Sequence, residues 1–159
     1  MVHLPRSEVR LASTEGNPRT GVFTLRNADY DVSRGPGYEF EDKIVFELEP
    51  NAIFVEPVQG AARHPGLRAK RWLERKGFAT GDLNFGAHTK SLEQDLDLFF
   101  AAPAVPRDLL TLGTIRDWRK RSGVAICYLQ ELWISEFDTQ LPGVESILQQ
   151  FDHIFVGLY

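Results

Sequence analysis

Two glycines in the segment Arg34-Gly35-Pro36-Gly37 could bring backbone amides close to a phosphate group. Such amides bind anions well at the N-terminus of a helix, and the pattern that follows predicts a helix from Tyr38. Glycine and proline are equally typical of a plain surface turn. Arg34, Gly35 and Gly37 are therefore candidate ligand-binding residues, with a simple turn as the alternative.

Glu131 is a second candidate, because it follows the apolar run Val124–Leu129. If this run is a strand, Glu131 lies just beyond its carboxyl end, where open α/β sheets bind their ligands. The alternative is a capping or solvated glutamate. Cys127 lies within the same run and is expected to be a small buried residue rather than a nucleophile.

A cluster of basic residues surrounds Trp72 in a chain whose overall charge is negative. Its members are Arg63, Arg68, Lys70, Arg71, Arg75 and Lys76. We single out Arg68, Arg71, Trp72 and Arg75 as a possible contact with anionic lipid headgroups or a polyanionic acceptor, with the indole at the interface. The alternative is a solvated basic helix face with Trp72 in the core.

Several well-known catalytic patterns are missing from the sequence. It has no G-x-G-x-x-G, no P-loop, no G-x-S-x-G and no H-E-x-x-H. Its histidines lack the spacing of metal ligands and are His3, His64, His88 and His153. Asp95 and Asp97 lie at the start of a predicted strand, whereas a phospho-accepting aspartate would lie at the carboxyl end of one. We therefore expect no metal site and assign no catalytic residue.

The composition is that of one soluble globular domain. The chain has 159 residues, a formal net charge of −4 and 43% hydrophobic residues. Its single cysteine cannot form an internal disulfide, and its N-terminus lacks the apolar stretch of a secretory signal. We expect a cytoplasmic protein, peripheral at the inner membrane face if the basic cluster binds lipid. The negative charge gives no support to nucleic-acid binding.

Apolar periodicity predicts alternating strands and helices. The predicted strands are Gly21–Leu25, Ala52–Pro57, Leu96–Ala102, Val124–Leu129 and Ile154–Val156, and the predicted helices are Tyr38–Leu48, Pro65–Lys76, Pro106–Arg121 and Pro142–Phe151. Gly77 and Gly123 are expected to end the second and third helices. A hairpin over Ile44–Val55 is an alternative to the first helix.

This order predicts a doubly wound α/β fold with a mainly parallel sheet of about five strands. Residues 1–20 would form a mobile arm and residues 21–159 a single domain. The sequence ends at Tyr159, soon after the last strand, where such folds usually continue into a covering helix. We therefore expect the chain to be the front half of a longer protein.

The second half of the chain resembles the N-terminal domain of bacterial GT-B glycosyltransferases, of the family 1 or family 4 kind. The resemblance covers about the last 65 residues and lies in Leu96–Pro103, Pro106–Leu110, Trp118-Arg119, Ala125–Trp133 and Phe151–Gly157. In that family two Rossmann-like domains face each other across a cleft, and the N-terminal one mainly holds the acceptor.

The resemblance implies an acceptor-binding half that is inactive alone and binds no cofactor itself. A C-terminal domain would supply the nucleotide-sugar donor, without a divalent metal, and this chain has no residues matching that domain's glutamate-containing motif. Arg34, Gly35 and Gly37 would approach the donor phosphates, while Glu131 and Trp133 would line the cleft. The competing interpretation is a stand-alone Rossmann-like binding module that pairs through an exposed apolar face, for example as a homo-oligomer.

Overall fold

The computed structural model describes residues 18–28, 35–49, 51–78, 90–129 and 143–157. The strands are β1 (Thr20–Phe23), β2 (Ile53–Val55), β3 (Lys90–Ser91), β4 (Leu96–Ala101), β5 (Ile115–Arg116), β6 (Ser122–Leu129) and β7 (His153–Val156). The helices are α1 (Gly35–Asp42), continued by a π-helix (Lys43–Leu48), a 3₁₀ turn (Ala61–Arg63), α2 (Pro65–Arg75), α3 (Pro106–Leu112) and α4 (143–148). The predicted N-terminal arm lies, for residues 1–17, outside the described residues.

Five strands form one sheet in the order β2-β1-β4-β6-β7, and each neighbouring pair is parallel. From β1 the chain moves to β2 on one side and then returns to place β4 on the other side. The strand order therefore reverses between β1 and β4. This confirms the predicted doubly wound, mainly parallel sheet, and the architecture is Rossmann-like.

Helices cover both faces of this sheet. On one face Phe40 stacks on Tyr128, with ring centroids 4.6 Å apart, and Val45 packs among the residues of β1 and β4. On the other face α3 and α4 contribute Leu109 and Ile147 to the larger core cluster. The central strands are thus buried on both sides, which explains their continuous apolar sequence.

The first two predicted helices are confirmed. α1 and the π-helix run from Gly35 to Leu48, so the alternative hairpin is wrong over this segment. α2 ends where Gly77 adopts a φ of 83°, and the N–H groups of Gly77 and Phe78 donate to the carbonyls of Glu74 and Leu73. Glycine fits this left-handed position, and the two bonds satisfy the last carbonyls of the helix.

The third predicted helix is wrong in its second half. α3 ends at Leu112, and Ile115-Arg116 instead pairs as β5 with β3 in a separate two-stranded parallel sheet. Gly113 and the β-branched residues after it are poor helix formers, and Trp118 reaches the core from a turn. The three-residue spacing of the apolar residues Leu109, Leu112, Ile115 and Trp118 therefore reflects their burial in the core and does not indicate one continuous helix. Gly123 lies inside β6 and does not end a helix.

Candidate functional site

An open pocket lies at the carboxyl ends of β1 and β4, where the strand order reverses. The space between its lining residues is about 240 Å³, and this volume includes open solvent at the mouth. Phe23 and Leu25 line it from the end of β1, and Ala102, Pro103 and Ala104 line it from the loop after β4. Doubly wound sheets bind ligands at this position, because the chain leaves neighbouring strands in opposite directions and opens a crevice.

The first turn of α1 forms another wall of the pocket through Gly37 and Tyr38. A Cβ atom at residue 37 would be 3.4 Å from the carbonyl oxygen of Ala102 and 4.0 Å from the Cβ of Ala104. These are ordinary contact distances, so a methyl group would fit here, whereas a larger side chain would have to extend into the pocket. The same test at Gly35 finds no atom within 4 Å, so that position faces open space.

Glu41, one turn further along α1, places a buried carboxyl group at the pocket. Its side chain is 5% exposed, and its Oε2 has no hydrogen-bond partner in the structure. Burial raises the pKa of Glu41 to about 7, because a carboxylate loses hydration there. A hydrogen bond with Thr24 and the charge of Arg26 oppose this rise, while Asp42 and Asp108 add to it.

Asp108 is the second acidic residue that lines the pocket. It lies in the first turn of α3, and its Oδ2 accepts from the backbone N–H groups of Ala104, at 3.1 Å, and Val105, at 3.2 Å. These bonds fix the loop after β4 and place negative charge at the positive end of the helix. Asp108 thus holds one wall of the pocket in position.

Arg26 ties the segment after β1 to α1. Its Nη1 donates to Asp42 Oδ1 at 2.7 Å and its Nη2 to the Tyr38 carbonyl at 3.0 Å. The guanidinium lies 5.1 Å from the Tyr38 ring centroid and 5.7 Å from that of Phe54. The hydrogen bond with Asp42 raises the pKa of Arg26. Arg26 therefore holds α1 in position, because both of its Nη atoms donate hydrogen bonds to residues of that helix.

The structure separates the predicted cleft residues into two groups. Gly35 and Gly37 open α1, three residues before the predicted start at Tyr38, and Gly37 lines the pocket. Arg34, Glu131 and Trp133 lie outside the described residues. The pocket therefore contains one of the predicted cleft residues, together with acidic residues that sequence analysis did not select.

The sequence contains a spacing that could have identified Glu41 as a pocket residue. It falls four positions after Gly37 and three after Tyr38, so a helix starting near the glycine pair presents the three residues on one face. The sequence does not show that this face points at the sheet edge. That placement depends on the β1-to-β4 reversal.

Most of the basic cluster lies on α2, while Arg63 lies in the preceding 3₁₀ turn and Lys76 just after the helix. Arg68, Trp72 and Arg75 are exposed and share one face by their i, i+4, i+7 spacing, and Trp72 is 53% exposed. The alternative that placed this indole in the core is wrong. Arg71 is half-buried, and its Nε donates to the Leu67 carbonyl at 3.3 Å. In the part of the chain that the structure describes, neither Arg68 nor Arg75 forms a salt bridge.

Other candidates for chemistry occupy structural positions. Cys127 is buried within β6, and burial raises its thiol pKa to about 12, which agrees with its predicted role as a small core residue. His64 caps α2, with Nδ1 accepting from the Gly66 N–H at 3.0 Å. Among the described residues no group of three or more histidines, cysteines or acidic residues could hold a metal ion.

None of the helices in the described ranges is both long and apolar enough to cross a bilayer. Comparison with known proteins found no matching protein-family model, no matching curated protein and no matching solved structure.

Proposed function

We propose that this chain is the acceptor-binding domain of a nucleotide-sugar-dependent glycosyltransferase and binds its acceptor in the pocket between β1 and β4. The observation that carries the proposal is this pocket, at the carboxyl edge of a parallel sheet and at its reversal point. β4, at whose carboxyl end the pocket lies, and its neighbour β6 also contain much of the sequence resemblance to GT-B enzymes.

Glycosyl transfer requires a precisely held acceptor hydroxyl and cationic or amide groups that stabilise the departing nucleoside diphosphate. The pocket supplies a small, partly open space with two acidic groups, which suits the holding of an acceptor hydroxyl. In the proposal, a second, donor-binding domain binds the nucleotide sugar and stabilises the departing nucleoside diphosphate. The chain by itself is then expected to bind an acceptor without transferring sugar.

Both faces of β7 are exposed, which supports a partner domain. Ile154, Phe155 and Val156 are 44%, 55% and 42% exposed on this edge strand. Adjacent exposed apolar side chains are typical of surfaces that another structural unit covers. The alternative function, a stand-alone binding module, uses the same edge to pair with a second copy of the chain. The two differ in whether sugar transfer occurs.

The exposed face of α2 favours peripheral contact with an anionic membrane as a further part of the proposed function. Arg68 and Arg75 flank Trp72 on one face, so two cations and an interfacial indole point the same way. This arrangement suits headgroup binding with shallow indole insertion. Such contact would hold the domain close to a lipid-linked acceptor.

The test is sugar transfer by the native gene product, incubated with radiolabelled nucleotide sugars and a panel of neutral glycosides and glycolipids. We expect label on an acceptor. Gly37→Leu should lower transfer about tenfold or more, because its side chain enters the pocket. Glu39→Leu is the control, since it places the same new side chain at an exposed position of the same helix.

Both variants must first show the wild-type circular dichroism spectrum and thermal midpoint. Equal transfer by the two variants would remove the pocket from the proposal. Absence of transfer to every acceptor would contradict the enzyme and leave the binding module.

A further inference from the structure

We propose that the pocket between β1 and β4 binds an uncharged, hydroxyl-bearing group through the carboxyl of Glu41 and excludes phosphate. The proposed function identifies such a group as part of an acceptor sugar, and to that extent the inference rests on it. The binding chemistry follows from the pocket itself.

The free carboxyl oxygen of Glu41 is the first support. Glu41 is almost fully buried and lines the pocket, and its Oε2 has no hydrogen-bond partner. A buried polar atom without a partner has lost its hydration without compensation, so a ligand atom that completes the bond is stabilised there. Because Glu41 lines the pocket, a ligand that bonds to this carboxyl reaches it from the pocket side.

A hydroxyl group suits this carboxyl in either of its protonation states. The neutral carboxyl can donate one hydrogen bond and accept others, whereas the carboxylate only accepts. A hydroxyl can both accept and donate. With its pKa raised to about 7 by burial, Glu41 has both forms available near neutral pH. The charged or titratable groups around it are Arg26 and Asp42, from the segment after β1 and from α1, and Asp108 from α3.

The charges around the pocket disfavour phosphate. Glu41 and Asp108 line it, and none of the described lining residues is cationic. The nearby Arg26 already holds Asp42 at 2.7 Å and the Tyr38 carbonyl. Pro36 has no N–H, which removes one amide from the first turn of α1. Among the described residues, a phosphate in the pocket would therefore meet two acidic groups and an arginine that is already bonded to Asp42.

The remaining lining suits the apolar face of a sugar ring. Phe23, Leu25, Ala102 and Pro103 present carbon atoms around the carboxyl. Pockets of this kind combine an apolar wall with a few placed polar groups that select orientation. Gly37, the part of the glycine turn that lines the pocket, lies beside acidic residues, so this inference departs from the expectation that the turn faces donor phosphates.

The experiment is a set of ¹⁵N-labelled NMR titrations of the chain at pH 6 and pH 8. The probes are methyl glycopyranosides of the common hexoses, inorganic phosphate and uridine diphosphate, each up to its solubility limit. The backbone amides of Gly37 and Ala102 report on the pocket. We expect at least one glycoside to shift both amides, and neither phosphate compound to do so.

Three variants assign the effect to the carboxyl. Glu41→Leu should weaken glycoside binding about tenfold, as expected for a lost hydrogen bond to a buried polar group. Glu41→Gln should restore affinity to within about threefold, because an amide also donates and accepts. Glu39→Leu, at an exposed position of the same helix, should bind as the wild type does.

Phosphate-induced shifts at Gly37 and Ala102, the absence of glycoside shifts there, or unchanged affinity in Glu41→Leu would each overturn the inference. Its failure is distinguishable from failure of the proposed function. Glycoside binding in the pocket without sugar transfer leaves this inference standing and removes the enzyme. Sugar transfer without amide shifts at Gly37 and Ala102 would remove this inference and leave the enzyme standing.

Discussion

Gly123 on β6 faces Asp97 on β4 so closely that a Cβ atom at residue 123 would be 2.9 Å from the Asp97 carbonyl oxygen. The neighbouring register pairs Leu96 with Ser122 and Leu98 with Val124, so the two residues lie opposite each other in a parallel ladder. The contact is with backbone atoms on a central strand. A side chain at residue 123 can therefore fit only if the two strands move apart.

We expect Gly123→Ala to lower the free energy of unfolding by about 1–3 kcal/mol, the usual cost of adding a methyl group where packing leaves no room. Urea denaturation followed by circular dichroism measures the change. Gly35→Ala is the control, because its new Cβ would meet no atom within 4 Å. If both variants unfold at the same urea concentration, the close approach of the strands does not limit residue 123.

This contact illustrates what the sequence could predict. The apolar runs that became β1, β4 and β6 were visible because burial on both faces demands continuous hydrophobic residues. The signals at Gly77 and Gly123 are similar in sequence, since each glycine follows basic residues. One ends a helix through a left-handed backbone and the other admits a neighbouring strand. Tertiary contact distinguishes them, and local composition does not.

The candidate site also depends on tertiary contacts that local composition does not reveal. Sequence analysis identified Gly37, because glycine composition is a local signal. It did not identify Glu41 or Asp108 as lining one pocket, because they lie on different helices that only the reversal between β1 and β4 brings together. A buried glutamate and an exposed one on α1 look alike in one sequence.

Trp118 should be among the most important side chains for stability. It is 4% exposed, and its ring centroid lies 4.9 Å from that of Phe99 and 5.0 Å from that of Phe151. Trp118→Ala should cost about 3–5 kcal/mol, because a large cavity replaces these contacts. Trp72→Ala, at an exposed position, should cost at most about 0.5 kcal/mol. Thermal unfolding of both variants gives the comparison, and equal midpoints would contradict the placement of Trp118 in the core.

Glu41 should make the stability of the fold depend on pH. Burial raises its folded-state pKa from 4.5 to about 7, so the folded state holds a proton that the unfolded state releases between these values. This contribution to stability is fully present below pH 4.5 and is lost as the pH rises through about 7. The loss relative to Glu41→Gln should reach about 3 kcal/mol.

The measurement is urea denaturation of the wild type and of Glu41→Gln at intervals from pH 4 to pH 8. The difference between the two proteins isolates residue 41 from the other titrating groups. Glu39→Gln on the exposed side of α1 controls for the removal of one acidic side chain. If the difference in unfolding free energy between the wild type and Glu41→Gln stays constant from pH 4 to pH 8, the Glu41 carboxyl does not titrate in this range.

The exposed α2 face should bind vesicles that contain anionic lipid. With Arg68, Trp72 and Arg75 on one face, each arginine near the surface should contribute about 1 kcal/mol of electrostatic attraction. Arg68→Gln/Arg75→Gln should therefore weaken binding to phosphatidylglycerol vesicles about tenfold or more. Co-sedimentation measures the bound fraction, and added salt should reduce it because surface charges are screened.

Two further variants separate this face from general charge and from the indole. Lys43→Gln/Lys120→Gln removes the same charge from exposed positions outside α2 and should leave binding nearly unchanged. Trp72→Ala should weaken binding with little change in its salt dependence, because it removes interfacial burial and no charge. If the two double variants sediment equally with anionic vesicles, net charge accounts for the attraction and the α2 face has no specific role.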